Sequence, residues 1–197
     1  MKKAPVPFSR YIPLTQQEYL CAPTCIQMIL IKNKIPLIPA ELIAHHLKVV
    51  VPKRSGALFW NILTATKKPA SGWGTPDNEI VLMNAMFKSL KVPLHMTWKL
   101  IDIFTTENLF QKYIDTCIRD SKDVIVCFDY GTLFDTAFRG GHACVLDAIN
   151  ARKTEVRLID PEQSVPKWRT VKVHTLYKAM QTHGVQHSAG FWEIVRN

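Results

Sequence analysis

The strongest constraint on the fold lies after residue 120, where the chain becomes a series of short apolar runs with strand texture. Residues 123–130 (DVIVCFDY) read as a buried strand. Residues 142–149 (HACVLDAI) read as a second, entered through Gly140–Gly141, two glycines that let another backbone pass close. Residues 155–160 (EVRLID) alternate apolar and polar positions and read as a third, and residues 189–195 (AGFWEIV) as a closing strand. A helix is expected over 173–181. The earlier part of the chain has a different texture. A helix is expected over 22–32: Pro23 suits its first turn, where a missing N–H costs nothing, and Ile26, Ile29 and Leu30 recur at helical spacing before Pro36 and Pro39 end the segment. Further helices are expected over 40–47, 78–90 (capped by Thr75–Pro76 or Asp77) and 106–119, with a strand over 92–100. Residues 1–15 read as extended. Residues 51–78 are glycine- and proline-marked loop, with a helix near 58–66. Helices first and strands later predict an α+β fold, with an N-terminal helical half and a C-terminal antiparallel sheet.

The 197 residues fit a single domain, 1–197, and 47% hydrophobic content is enough for a sizeable core. No apolar run approaches the ~20 residues needed to span a bilayer; Lys32, Asn33 and Lys34 interrupt the best candidate. The N-terminus lacks the apolar stretch of a secretory signal. The expected location is the cytoplasm, or outside after export by a route without a cleaved signal. Five widely spaced cysteines do not make a disulfide framework. The +9 formal charge comes in scattered pairs such as Lys2/Lys3 and Lys67/Lys68, without a run resembling a nucleic-acid arm, so no nucleic-acid partner is expected. Oligomeric state is not legible.

Three separated pieces carry chemistry. Cys21 stands at the start of the first helix, where the positive end of the helix dipole and free backbone N–H groups favour thiolate and can hold a developing oxyanion. Gln16, five residues upstream, can add a side-chain N–H to that spot. His142 opens a strand behind two glycines, where a general base can border a cleft. Asp160 ends the next strand. The turn-like residues 150–153 between them fit a hairpin that brings the carboxylate beside the imidazole, where it can fix the tautomer.

Cys at a helix start, then Gly-His opening a strand, then Asp-Pro at a strand end, resembles the papain-like cysteine peptidases. The nearest group is the double-glycine leader peptidases that mature bacteriocins, together with their stand-alone relatives. The Gly74-Thr75-Pro76 segment before a helix is similar to that group as well. The resemblance spans about residues 14–160. It implies a papain-like fold with the active site between its halves. It also implies a hydrolase, a peptidase or amidase that works through a thioester on Cys21 without a metal or organic cofactor and takes a peptide or protein substrate. Two departures stand out. Ala22 occupies the place of a usual glycine, and Gln16 precedes Cys21 by five positions where six is usual, so Gln17 is an alternative oxyanion donor. The transporter that carries many leader peptidases is absent, which removes the main reason to assign leader peptides as substrate.

Plainer readings compete at each position. Cys25, one helical turn after Cys21, reads as core. A Cys21–Cys25 disulfide is disfavoured, because i,i+4 Cβ atoms lie about 5–6 Å apart against ~3.8 Å in a bridge. A metal set of Cys21, Cys25, His142 and Cys144 lacks any CxxC pair, and the consecutive His45–His46 diverge on a helix. The tryptophans read as core, except Trp73, which stands between glycines and could line a groove. Two rivals to hydrolysis remain: an acyltransferase or transpeptidase of the same fold, and a catalytically silent binding module.

Overall fold

The structure is a computed structural model that describes residues 8–52, 54, 60–61, 66–67, 74–77 and 79–197. Helices α1 (Cys21–Lys32), α2 (Ala40–His46) and α3 (Glu79–Ser89) come first. Strand β3 (Leu94–Leu100) and helix α4 (Glu107–Arg119) follow, the latter capped by the Thr106 side chain on the Leu109 N–H. The second half holds β4 (Asp123–Asp129), the one-turn helix α5 (Tyr130–Phe134), β5 (Gly141–Ile149), β6 (Glu155–Ile159), β7 (Trp168–Lys172), α6 (Val173–His183) and β8 (Gly190–Arg196). The expected elements agree with these within about two residues at each end. The helix near 58–66 does not: Trp60–Asn61 forms a short strand, β1, antiparallel to β2 (Thr66–Lys67). The remainder of that stretch, and Trp73, lie outside the described residues.

Six strands form one antiparallel sheet in the order β3-β8-β4-β5-β6-β7. The closing strand β8 therefore inserts between β3 and β4, so the sheet draws on both halves of the chain. Every residue of β4 is buried, as expected of a central strand covered on both faces. Two cores result. On one face α1, α2 and α3 pack Ile26, Ile29, Ile43 and Phe87 against Ile125, Val145, Ile159 and Trp192. On the other, α4 and α6 pack Phe110, Ile114, Leu176 and Met180 against Val126, Phe128, Leu146 and Phe191. The expected α+β arrangement, an N-terminal helical half against a mostly C-terminal antiparallel sheet, is what is found, with α4 and α6 covering the sheet's other face. Trp192 is in the core and stacks on Trp98 at 6.4 Å, whereas Trp168, expected inside, is exposed on the edge strand β7.

Candidate active site

Cys21 is the first residue of α1 and is half-buried at the rim of a cleft of about 880 Å³. Leu20 occupies the N-cap and makes no side-chain cap, so no side chain takes up the orphan donors of the first turn. Tyr19, two residues before the cysteine, has φ 67°, a left-handed conformation that non-glycine residues adopt at a cost. That bend turns the chain into the helix at the sulfur. The helix is tied to its partner strand one turn further on, where the Cys25 thiol donates to the Ala143 carbonyl at 3.4 Å. Ala143 is the neighbour of His142, so the helix bearing Cys21 and the strand bearing the histidine are held in register.

His142 lines the same cleft as Cys21 and places Nε2 2.8 Å from Asp160 Oδ1. Asp160 is wholly buried, and Oδ1 also accepts the Glu162 backbone N–H at 3.0 Å. Oδ2 accepts Arg169 Nη1 at 3.1 Å. Burial by itself works against a charged imidazole. The neighbouring Cys144 sulfur, Asp160 and Cys21 oppose it, and the net effect holds His142 well above the ordinary histidine range. Burial likewise opposes a charged Asp160, but the hydrogen bonds from His142, Glu162 and Arg169 outweigh it and hold the carboxyl below its usual value. The two directions agree: both groups are stabilised in their charged forms by each other.

The hairpin before His142 is pinned by Asp129, the last residue of β4. Its Oδ1 caps α5 through the Thr132 N–H at 2.7 Å, and its Oδ2 accepts the Gly140 N–H at 3.1 Å. Burial opposes this carboxylate, yet those bonds lower its pKa. The glycines are explained by side chains, not by a passing backbone. A Cβ on Gly141 would come within 2.7 Å of the His183 ring, and one on Gly140 within 2.9 Å of the Phe138 ring.

Gln16 is buried and lines the cleft, with Nε2 donating to Glu162 Oε2 at 2.9 Å and its backbone N–H to Pro161 at 2.8 Å. Gln17 turns its amide outward to Glu41 at 2.8 Å. Of the expected residues, Gln16, Cys21 and His142 line the one cleft, and the wholly buried Asp160 bonds to His142 behind it. All five cysteines are free. Of the considered metal set, Cys25 is spent on Ala143. Among the described residues the group of potential ligands is instead His142, Cys144 and Asp160, whose ligand atoms lie within 4.8 Å of one another. Burial pushes the Cys144 thiol up to about 12, which leaves it protonated at neutral pH and a poor ligand. Sequence reasoning missed Arg169, Asp129 and Glu162. Glu162 and Asp129 adjoin recognised segments and were findable by asking what holds them. Arg169 sits in a short, polar strand with no such signal.

A family model described as the Peptidase_C39 like family matches residues 9–187. The chain belongs to this family. Among solved structures, a crystal structure of a protein from Bacillus anthracis assigned to the C39-like peptidases matches with a TM-score of 0.57 and 15% identity, covering 97% of this chain and 99% of that one. At that identity the likeness speaks for the fold, which is papain-like α+β. No curated protein matches the chain.

Proposed function

We propose that the chain is a cysteine hydrolase, a peptidase or amidase, acting on a peptide or protein substrate through Cys21, His142 and Asp160. The observation that carries the reading is the 2.8 Å bond between His142 Nε2 and the buried Asp160, with His142 and Cys21, the latter at a helix N-terminus, lining the same cleft. In the acylation step the Cys21 sulfur attacks the carbonyl carbon, and the C–N bond breaks as His142 passes a proton to the leaving amine. Water, deprotonated by His142, then cleaves the thioester and regenerates the thiol. Asp160 keeps the Nε2 proton facing it, which leaves Nδ1 for the sulfur. The Cys21 backbone N–H supplies one oxyanion donor. The Gln16 amide supplies a second, through the Nε2 hydrogen that Glu162 does not use. No metal or organic cofactor enters these steps. Among the described residues no helix is long and apolar enough to cross a membrane.

The test is chemical labelling followed by turnover. Iodoacetamide at neutral pH is expected to modify Cys21 first, at a rate that collapses in His142→Ala. A fluorogenic peptide panel is expected to be cleaved by the wild type and not by Cys21→Ala. Slow labelling indifferent to His142 would sink the enzyme reading in favour of a binding module. Amine or thiol adducts formed faster than hydrolysis products would turn it into a transferase.

A further inference from the structure

Arg169 makes no contact with the cleft, yet it holds the rear of the site from the edge strand. In the register of β6 with β7 it lies opposite Leu158, two residues before Asp160 and on the same face of the sheet. Its Nη1 donates to Asp160 Oδ2 at 3.1 Å and to the Tyr130 hydroxyl at 3.2 Å. Its guanidinium carbon stands 3.2 Å above the Phe134 ring. Each partner bears on the imidazole. Asp160 holds Nε2, and the Tyr130 ring meets the His142 ring edge to face, centroids 5.1 Å apart at 89°. The other Asp160 oxygen is already taken by His142 and Glu162, so Arg169 is the partner of Oδ2. A single nitrogen thus spans the two groups that fix how His142 is turned while the planar guanidinium stacks on Phe134, a combination suited to guanidinium and not to a point-charge ammonium.

We propose that Arg169 is a positioning residue for the reaction, acting through Asp160 and Tyr130 to fix the orientation and charge state of His142. The inference rests on the function proposed above. An ion pair serving only to close the sheet edge would have no need to reach the triad carboxylate and the ring against His142 with one nitrogen. The groups around Asp160 are His142 and Cys144 from β5, Cys25 from α1, Arg169 from β7, and Glu162 and Lys167 from the turn between β6 and β7. Arg169 and Lys167 are the permanent cations in this set. Lys167 is engaged by the Pro161 and Glu162 carbonyls, so Arg169 is the permanent cation that bonds the carboxylate directly, adding to the larger effects of His142 and the Glu162 N–H.

The experiment follows the rate of Cys21 alkylation by iodoacetamide across pH, and peptide turnover where a substrate is in hand, in wild type, Arg169→Met and Arg169→Lys. Loss of the cation raises the Asp160 pKa, so in Arg169→Met the acid limb of both profiles is expected to move up by about one pH unit. The turnover number is expected to fall about 10- to 100-fold, on the scale of a lost charge-assisted positioning bond, with KM within about twofold. Arg169→Lys keeps the charge but not the planar group stacked on Phe134, and a smaller shift in the same direction is expected. Should the Met variant fail to fold, the Lys variant decides: a shifted acid limb supports the assignment, and a profile superimposable on wild type overturns it. A wild-type alkylation rate indifferent to His142 overturns both this inference and the proposed function. A His142-dependent wild type with unchanged Arg169 variants overturns this inference alone.

Discussion

Replacing Asp160 by asparagine keeps the shape of the site and removes one charge, which makes its consequences calculable. The carboxylate receives three donors: His142 Nε2, the Glu162 N–H and Arg169 Nη1. An amide has one acceptor oxygen and one donor nitrogen, so one side must face a donor with a donor. If the nitrogen faces Arg169, the guanidinium loses its partner. Breaking a buried ion pair costs about 3–5 kcal/mol, and the 21% exposure of the Arg169 side chain argues for the lower end. If the nitrogen faces His142 instead, Nε2 must give up its proton and Nδ1 must carry it, which removes the base from the sulfur; the loss is then about 10⁴-fold in kcat. Attraction between Arg169 and the amide oxygen favours the second arrangement, with the Glu162 N–H also left facing a donor. The expected outcome is turnover reduced to a residue, together with a stability loss of about 3 kcal/mol, which for a chain of this size lowers the melting temperature by roughly 6–12 °C. Calorimetry and peptide turnover on the same preparation measure both. A variant with wild-type turnover and a melting temperature within a degree would show that Asp160 neither orients His142 nor balances Arg169.

His142 is held above its ordinary pKa, so its contribution to stability is complete below about 6.5 and is lost as pH rises through its raised folded value. The difference in melting temperature between wild type and His142→Gln should accordingly shrink as pH is raised, and a constant difference would contradict the shift. Asp160 is displaced the opposite way: its contribution is present above about 3.9 and is lost as pH falls through its depressed folded value. Gln16→Ala is expected to lower kcat about 10²–10³-fold, as for other single oxyanion donors. The extended N-terminal segment predicted almost no effect on folding, but the buried amide bonded to Glu162 implies a loss of about 1 kcal/mol as well. Gln17→Ala, which loses an exposed contact to Glu41, should change neither, and a larger effect there than at Gln16 would reverse their roles. Asp129→Ala removes the α5 cap, for about 1 kcal/mol, and frees Gly140; if the imidazole moves by about 1 Å, turnover falls up to about a hundredfold. Full activity in that variant would separate the hairpin pin from the chemistry.

What was legible in the sequence follows from how each feature is encoded. The strands β4, β5 and β8 are continuous apolar runs, and α1 and α4 carry helical spacing with a proline or a threonine at the start, so local pattern suffices. Strand β7 is different. Trp168, Thr170 and Lys172 face solvent on an edge, which removes the hydrophobic alternation that marks a strand, and with it the visibility of Arg169. Helix α5 is a single turn made by the Asp129 cap and not by periodicity. The order of strands was hidden for another reason. That β8 lies between β3 and β4 depends on contacts over sixty residues apart in sequence, such as Ile125 with Trp192 and Trp98 with Trp192, which no local pattern specifies. The proposed catalytic residues were legible because two of the three stand at ends of recognisable elements and the third directly follows one. Their supporting shell was not, because its members are fixed only by the fold that they support.

Cysteine placement shows how one fold can hold several thiols near a nucleophile without multiplying reactivity. Cys25, Cys117, Cys127 and Cys144 are buried, and only Cys21 is half-exposed. Burial pushes Cys117 up to about 11, Cys144 up to about 12 and Cys25 well above the ordinary thiol range. Because the thiolate is the reacting species, those three sulfurs are inert at neutral pH. They act as small apolar side chains with a weak donor. Cys25 uses that donor to tie α1 to the Ala143 carbonyl, beside the histidine. Cys144 fills the space next to the imidazole, where a larger residue would displace the ring and a charged one would compete for Asp160. Cysteine suits both positions because it is compact and stays neutral there. The clustering of sulfur around the cleft therefore reflects packing, and the position at the start of α1, next to His142, is what sets Cys21 apart.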